Sequence, residues 1–155
     1  MTPPKIDAGF VRMPEDEFEA MLARAADSQM EFDIDLARSQ TEENPVHKIR
    51  YAHARIASIL RKAADQKIDS AGADLSLLIE AAELDLIRTM LDYPELLDSA
   101  SRTLESHHLP HFALNLAGQF NSYYHVQRVI SEDKERTRAR LQLVSAVKQV
   151  LANIL

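Results

Sequence analysis

From Pro45 to Asp65, apolar side chains recur at Val46, Ile49, Ile56, Leu60 and Ala63. At ~100° per residue this spacing lines them along one side of a helix. Lys48, Tyr51, Arg55 and Lys62 fall within about 60° of one another on the roughly opposite side. One side suits a core and the other a charged partner. Asn44 is placed to cap the first turn, and Pro45 fits the first helical position, where its missing N–H costs nothing. Further along, Leu75 to Tyr93 is apolar nearly all round, with Leu75, Leu78, Ala82, Leu86 and Met90 on one stripe and Leu84, Ile87 and Leu91 beside it. That pattern predicts a central helix. Pro94 restarts the chain into a helix to about Glu105. Leu109 to Ile130 carries Phe112, Leu116, Phe120 and Tyr123/Tyr124 at helical spacing. Lys134 to Leu155 sets Leu141, Val144, Lys148 and Leu151 on one line.

Upstream, Pro3, Pro4 and Gly9 mark residues 1–13 as a flexible tail. Residues 14–43 read as a connecting helical segment, with a short helix from Pro14 to about Ala26. The remainder, 44–155, reads as an all-α helical bundle of four long helices plus shorter ones. No alternating strand, internal repeat or low-complexity tract is visible.

The composition agrees with this reading. A chain of 155 residues holds one domain of ordinary size, and 46% hydrophobic residues with only three glycines favour helix over strand. The absence of cysteine excludes a disulfide framework and any thiolate site. No segment has the ~18 uncharged apolar residues that spanning a bilayer requires, so a soluble cytoplasmic protein is expected. The net charge of −6 argues at first against a nucleic-acid partner, but the charge is segregated. Residues 1–43 carry −7, 44–67 carry +5, 68–108 carry −7 and 109–155 carry +3. Two basic segments, each also holding tyrosine, can draw a phosphate backbone onto one surface while the acidic segments repel it elsewhere.

Most other constellations have plain explanations. His108 and His111 could offer two metal ligands from one helical turn, yet zinc needs a third and usually a fourth. His53 falls on the apolar side of its helix and reads as a core histidine bonded to a backbone carbonyl. Asp33 and Asp35 sit beside helix starts, where capping accounts for them. No phosphate loop, dinucleotide fingerprint or nucleophile elbow occurs. Phe112 and Phe120 are assigned to the core. Tyr124 and Arg128 are four apart and share a predicted helical face, where a ring and a guanidinium could stack on bases or clamp phosphate.

Three stretches resemble the C-terminal anticodon-binding domain of arginyl-tRNA synthetase, the DALR domain. Ala25 to Ala37 (AADSQMEFDIDLA) is similar to the segment leading into it. Glu43-Asn44-Pro45 with Tyr51-Ala52-His53-Ala54-Arg55 is similar to its first long helix. Phe120-Asn121-Ser122-Tyr123-Tyr124, with Arg128-Val129 through Ala139-Arg140-Leu141 to Asn153, is similar to its closing helical pair. The resemblance covers roughly residues 20 to 155. It implies an α-helical bundle that grips the anticodon arm of arginine tRNA while a separate Rossmann-type catalytic domain attaches arginine. ATP and Mg belong to that catalytic domain, so no cofactor is implied in this chain. By position, the resemblance points to Tyr51, Arg55, Tyr124 and Arg128. Lys48 joins them from the charged helix side. Where the family commonly has aromatic residues this chain has His47 and Lys48, and Arg50 stands where Gln is common, which shifts the expected balance from stacking toward electrostatics. No His-Ile-Gly-His or Lys-Met-Ser-Lys-Ser motif occurs, so this chain alone is expected not to aminoacylate. Members usually continue past the position of Leu155 with a short tail that reaches toward the anticodon. The rival expectation is a helical interaction protein that kept the bundle and lost tRNA recognition. A histidine-based metalloenzyme ranks far behind both.

Overall fold

The computed structural model describes residues 45–104 and 107–155. The tail at 1–13, the segment at 14–43, the Asp33/Asp35 pair, the resemblance at 25–37 and the Asn44 cap lie outside the described residues. Within them the elements are α1 (Pro45–Asp65), a 3-10 turn (Leu75–Leu77), α2 (Ala81–Leu91), α3 (Tyr93–Thr103), α4 (His108–Val126) and α5 (Lys134–Ile154). No strand occurs among the described residues, as an all-α bundle requires.

α4 is the hub and packs against α1, α2, α3 and α5. Its Ala113, Leu116, Ala117, Phe120 and Tyr123 are all fully buried. They repeat every three or four residues, and the two alanines let neighbouring helices approach closely. α1 presents the stripe the sequence predicts. Val46, Ile49, Ile56 and Ala63 are buried, while Leu60 is half-buried against the same core. From α5 come Leu141, Leu143, Val144, Val147 and Leu151.

Among the described residues three helices are long where four were expected. α1 and α5 have 21 residues and α4 has 19, whereas α2 and α3 have 11 each. The central helix expected over Leu75 to Tyr93 is broken at its start because polar side chains there satisfy backbone donors locally. The Asp74 carboxylate accepts the Ser76 N–H at 3.0 Å and closes a 3-10 turn. Glu83 accepts the Glu80 N–H at 3.1 Å as half of a capping box, which starts α2 at Ala81. Leu78 therefore reaches the core, but Leu75 and Ile79 stay exposed, as does Leu91 at the far end.

α1 ends in a left-handed residue, Lys67 at φ 55°, with Ile68 N–H donating to Ala63 O at 2.9 Å and Lys67 N–H to Ala64 O at 2.9 Å. This is the Schellman pattern with lysine where glycine is usual. The loop that follows is held by α5 through main-chain carbonyls. Arg138 donates to Asp69 O at 2.8 Å and to Ala71 O at 2.9 Å, and Gln142 donates to Ser70 O at 2.7 Å.

Candidate nucleic-acid interface

The charged side of α1 faces the outer side of α4, and the two meet at Arg55. Its guanidinium carbon lies 4.5 Å from the Tyr51 ring centroid and 4.8 Å from that of Tyr124. It donates to the Tyr51 hydroxyl at 2.5 Å and to Asn121 Oδ1 at 3.3 Å. Both rings offer their negative faces to the cation, each contact contributing about 0.5–1 kcal/mol where water still reaches it. Tyr51 is 48% exposed and Tyr124 38%. The neighbouring Tyr123 is wholly buried, and burial pushes its phenol pKa up, Glu83 adding to the effect and Arg140 opposing it.

The row of rings continues on both sides. His47 stacks on Tyr51 with centroids 6.3 Å apart and planes 17° from parallel. Phe120 supports Tyr124 from the core at 6.1 Å. The His47 imidazole thus extends the flat surface of the Tyr51 ring.

Two clefts flank this row. One, of about 530 Å³, is lined by His47, Lys48, Tyr51 and Arg55 of α1 and by Gly118, Asn121, Ser122 and His125 of α4. The other, of about 450 Å³, lies between Ile59 and Lys62 of α1 and the run Tyr124 to Ile130. His125 borders both. Lys48, Tyr51 and Arg55 therefore sit in the first cleft, Arg128 sits in the second, and Tyr124 joins them.

Arg128 reaches the second cleft by a different route from the helical one predicted. α4 stops at Val126, and Gln127 is extended at φ −122°, ψ 133°. Arg128 therefore does not share a helical face with Tyr124 but stands on the connection to α5. The helix was expected to run to Ile130; instead, Val129 leaves its line and buries in the core.

The positive charge is also distributed differently from its position in the chain. Of the basic side chains at 109–155, Arg140 is buried with Glu83, Arg138 binds Glu135 and the α1 loop, and Arg136 lies 3.7 Å from Glu80. α1 carries most of what faces outward, with Lys48 and Lys62 exposed beside the clefts.

His53 is half-buried rather than a core residue, and Lys148 of α5 is near enough for its charge to act on the imidazole. Burial first, then the Lys148 charge, lowers its pKa. Phe112 is likewise half-buried, stacked on Tyr93 at 5.6 Å. The His107 and His108 rings lie 3.9 Å apart, but among the described residues no three His, Asp or Glu side chains gather to hold a metal ion. Nor, among these residues, is any helix long and apolar enough to cross a membrane.

Asn121, Ser122 and His125 were not singled out from the sequence as site residues. With Gly118 they recur every three or four positions opposite the buried stripe of α4, and that spacing was the available signal.

The fold and its surface define an all-α bundle with an aromatic, cationic groove between α1 and α4. Comparison with known families gives the particular member: residues 49–155 match the DALR anticodon binding domain. The chain belongs to the DALR anticodon-binding domain family. It is 51% identical over 134 residues to the arginine–tRNA ligase of Dehalococcoides mccartyi (strain CBDB1), covering 86% of this chain and 24% of that one. It is 47% identical over 133 residues to the arginine–tRNA ligase of Polynucleobacter necessarius, covering 86% and 23%. A crystal structure reported as an arginyl-tRNA synthetase of Campylobacter jejuni superposes with a TM-score of 0.73 at 26% identity, covering 90% of this chain and 31% of that one. The chain thus spans about a quarter of the length of the ligases it matches.

Proposed function

We propose that this chain binds the anticodon arm of arginine tRNA through the groove between α1 and α4, in service of a catalytic domain that ligates arginine to the tRNA with ATP and Mg. The single observation that carries the reading is the convergence of Tyr51, Arg55 and Tyr124 from two helices far apart in sequence. An unpaired base stacked on either tyrosine contributes ~1–3 kcal/mol, and single-stranded loops suit such a surface because their bases can be splayed out. Lys48, Lys62 and Arg128 line the two clefts beside these rings, which supports a role in meeting flanking phosphates, and each phosphate neutralised adds a salt-dependent contribution. The catalytic domain is a partner in the same polypeptide or in trans, and the reaction takes place in the cytoplasm, with translation.

The test is a filter-binding titration of arginine tRNA across a salt series. Affinity should fall by ~0.7 log units per log unit of salt for each phosphate contacted. An unrelated tRNA with a different anticodon should bind more weakly at every salt concentration. No detectable binding at low salt would overturn the reading and leave a helical interaction protein in its place.

A further inference from the structure

We infer that Arg140, a residue no tRNA can touch, is a positioning residue that fixes the second cleft by holding the α4–α5 connection on which Arg128 stands. The inference rests on the proposed tRNA-binding reading and adds to it a residue outside the groove.

Arg140 is 4% exposed and lies inside α5. All three of its guanidinium nitrogens are engaged, each by a different residue. Nε donates to Glu83 Oε1 at 2.7 Å, Nη1 to the main-chain carbonyl of Arg128 at 2.8 Å, and Nη2 to Gln127 Oε1 at 3.0 Å. Glu83 is itself wholly buried, and its other oxygen accepts the Glu80 N–H at the start of α2. One planar cation therefore links the first turn of α2 to the two residues that follow α4. These two, Gln127 and Arg128, form part of the wall of the cleft opposite Lys62.

Stability alone does not account for this pair. Replacing a buried ion pair with apolar residues of similar volume is often neutral or stabilising, because the desolvation cost offsets the attraction. Geometry does account for it. Farther along the connection Val129 is buried in the core and the Ser131 N–H donates to Thr137 Oγ1 at 3.0 Å, so Gln127 and Arg128, just past the end of α4, are the stretch that Arg140 holds. Without the Arg140 donors, the Arg128 carbonyl and the Gln127 amide lose their fixed partners. Arg128 would then be anchored only through its buried neighbour Val129 and would sample a wider range of positions at the cleft. A lysine at 140 could still meet Glu83, but a single ammonium cannot span three acceptors spread around a planar fork.

The experiment uses the full 155-residue chain as wild type, Arg140→Lys, Arg128→Ala, the double variant Glu83→Leu/Arg140→Met, and this double variant combined with Arg128→Ala. Circular dichroism melts establish that each folds. Arginine tRNA titrations across a salt series and amide hydrogen exchange at Gln127 to Ile130 are the readouts. Glu83→Leu/Arg140→Met should stay folded, exchange faster at the connection and bind on the order of tenfold more weakly at low salt. Its salt slope should be shallower by ~0.7, the loss of one phosphate contact. Adding Arg128→Ala to it should cost little more, because Arg128 is already out of place. Arg140→Lys, which keeps the charge, should show the same shallower slope. Wild-type affinity and slope in the folded double variant, or a full Arg128→Ala penalty within it, would overturn the inference. So would unchanged exchange at the connection. If wild type itself binds no tRNA, the functional reading fails instead, and the exchange data still report whether Arg140 holds the connection.

Discussion

The guanidinium of Arg55 lies 4.8 Å from the ring centre of Tyr124, a contact that ties the charged side of α1 to the outer side of α4. Both residues have partners on their own helices as well. Arg55 binds Tyr51 one turn earlier, and Tyr124 rests on Phe120 one turn earlier. The groove floor is thus held together by contacts within the chain, which under the proposed reading would leave little ordering entropy to oppose binding.

Arg55→Ala removes a cation from the groove and two ring contacts. Arginine-tRNA affinity should drop on the order of tenfold at low salt, with a shallower salt slope, while thermal unfolding shifts only slightly because the side chain is half-exposed. Filter binding at three salt concentrations, read beside a melting curve, checks this. Unchanged affinity would remove the site from this groove.

Tyr124 separates stacking from hydrogen bonding. Its contacts here are made by the ring, to Arg55 and Phe120. Tyr124→Phe should bind nearly as wild type, whereas Tyr124→Ala should lose the ~1–3 kcal/mol expected of one stacked base. If Tyr124→Phe were as weak as Tyr124→Ala, the hydroxyl and not the ring face would be the reader.

Leu86 lies in α2 with no exposed surface, within the core cluster that includes α4 and α5. Leu86→Ala leaves a cavity and should lower stability by ~2–5 kcal/mol in urea unfolding, with no specific effect on tRNA affinity in conditions where the variant remains folded. This gives a control in which packing fails while the groove residues stay in place.

His53 gives the fold a dependence on pH. Its pKa is lowered by burial and then by Lys148. A histidine depressed in the folded state contributes stability that is complete above its ordinary value of 6.5 and is lost as pH falls through the lower folded value. Wild type should therefore lose more stability than His53→Gln between pH 7.5 and pH 5, and Lys148→Gln should narrow the difference. Melting curves at the two pH values decide it. Parallel losses in wild type and His53→Gln would show that His53 is not the group responsible.

Much of this was legible in the sequence because it depends on local periodicity. The two sides of α1 follow from its spacing alone, and the buried and outward faces of α5 nearly so. Arg128 lines the second cleft, but not on the helical face that the spacing predicts, since the periodicity continues past Val126 although the helix does not. Nothing in the spacing of residues 120 to 130 marks that end. The break before α2 was obscured by the apolar positions that continue across it (Leu77, Leu78, Ile79, Ala81, Ala82), and the two acids that cause it, Asp74 and Glu83, act through backbone donors that no hydropathy pattern displays. The Glu83–Arg140 pair was hidden most completely. The two residues are 57 apart in sequence, and each alone reads as an ordinary charged helix residue.

The grip of Arg138 and Gln142 on the carbonyls of Asp69, Ser70 and Ala71 has a consequence for how this chain can change over time. A main-chain oxygen is present whatever side chain accompanies it, so Ser70 and Ala71 can change without losing the hold, while Asp69, which accepts the Ala71 N–H at 2.8 Å, and Gly72, at φ 65°, keep the turn in shape. The two donors have no such latitude, because each must keep its own length and polarity. Tolerance is therefore uneven: variation costs little at Ser70 and Ala71 and much on the helix that clasps them.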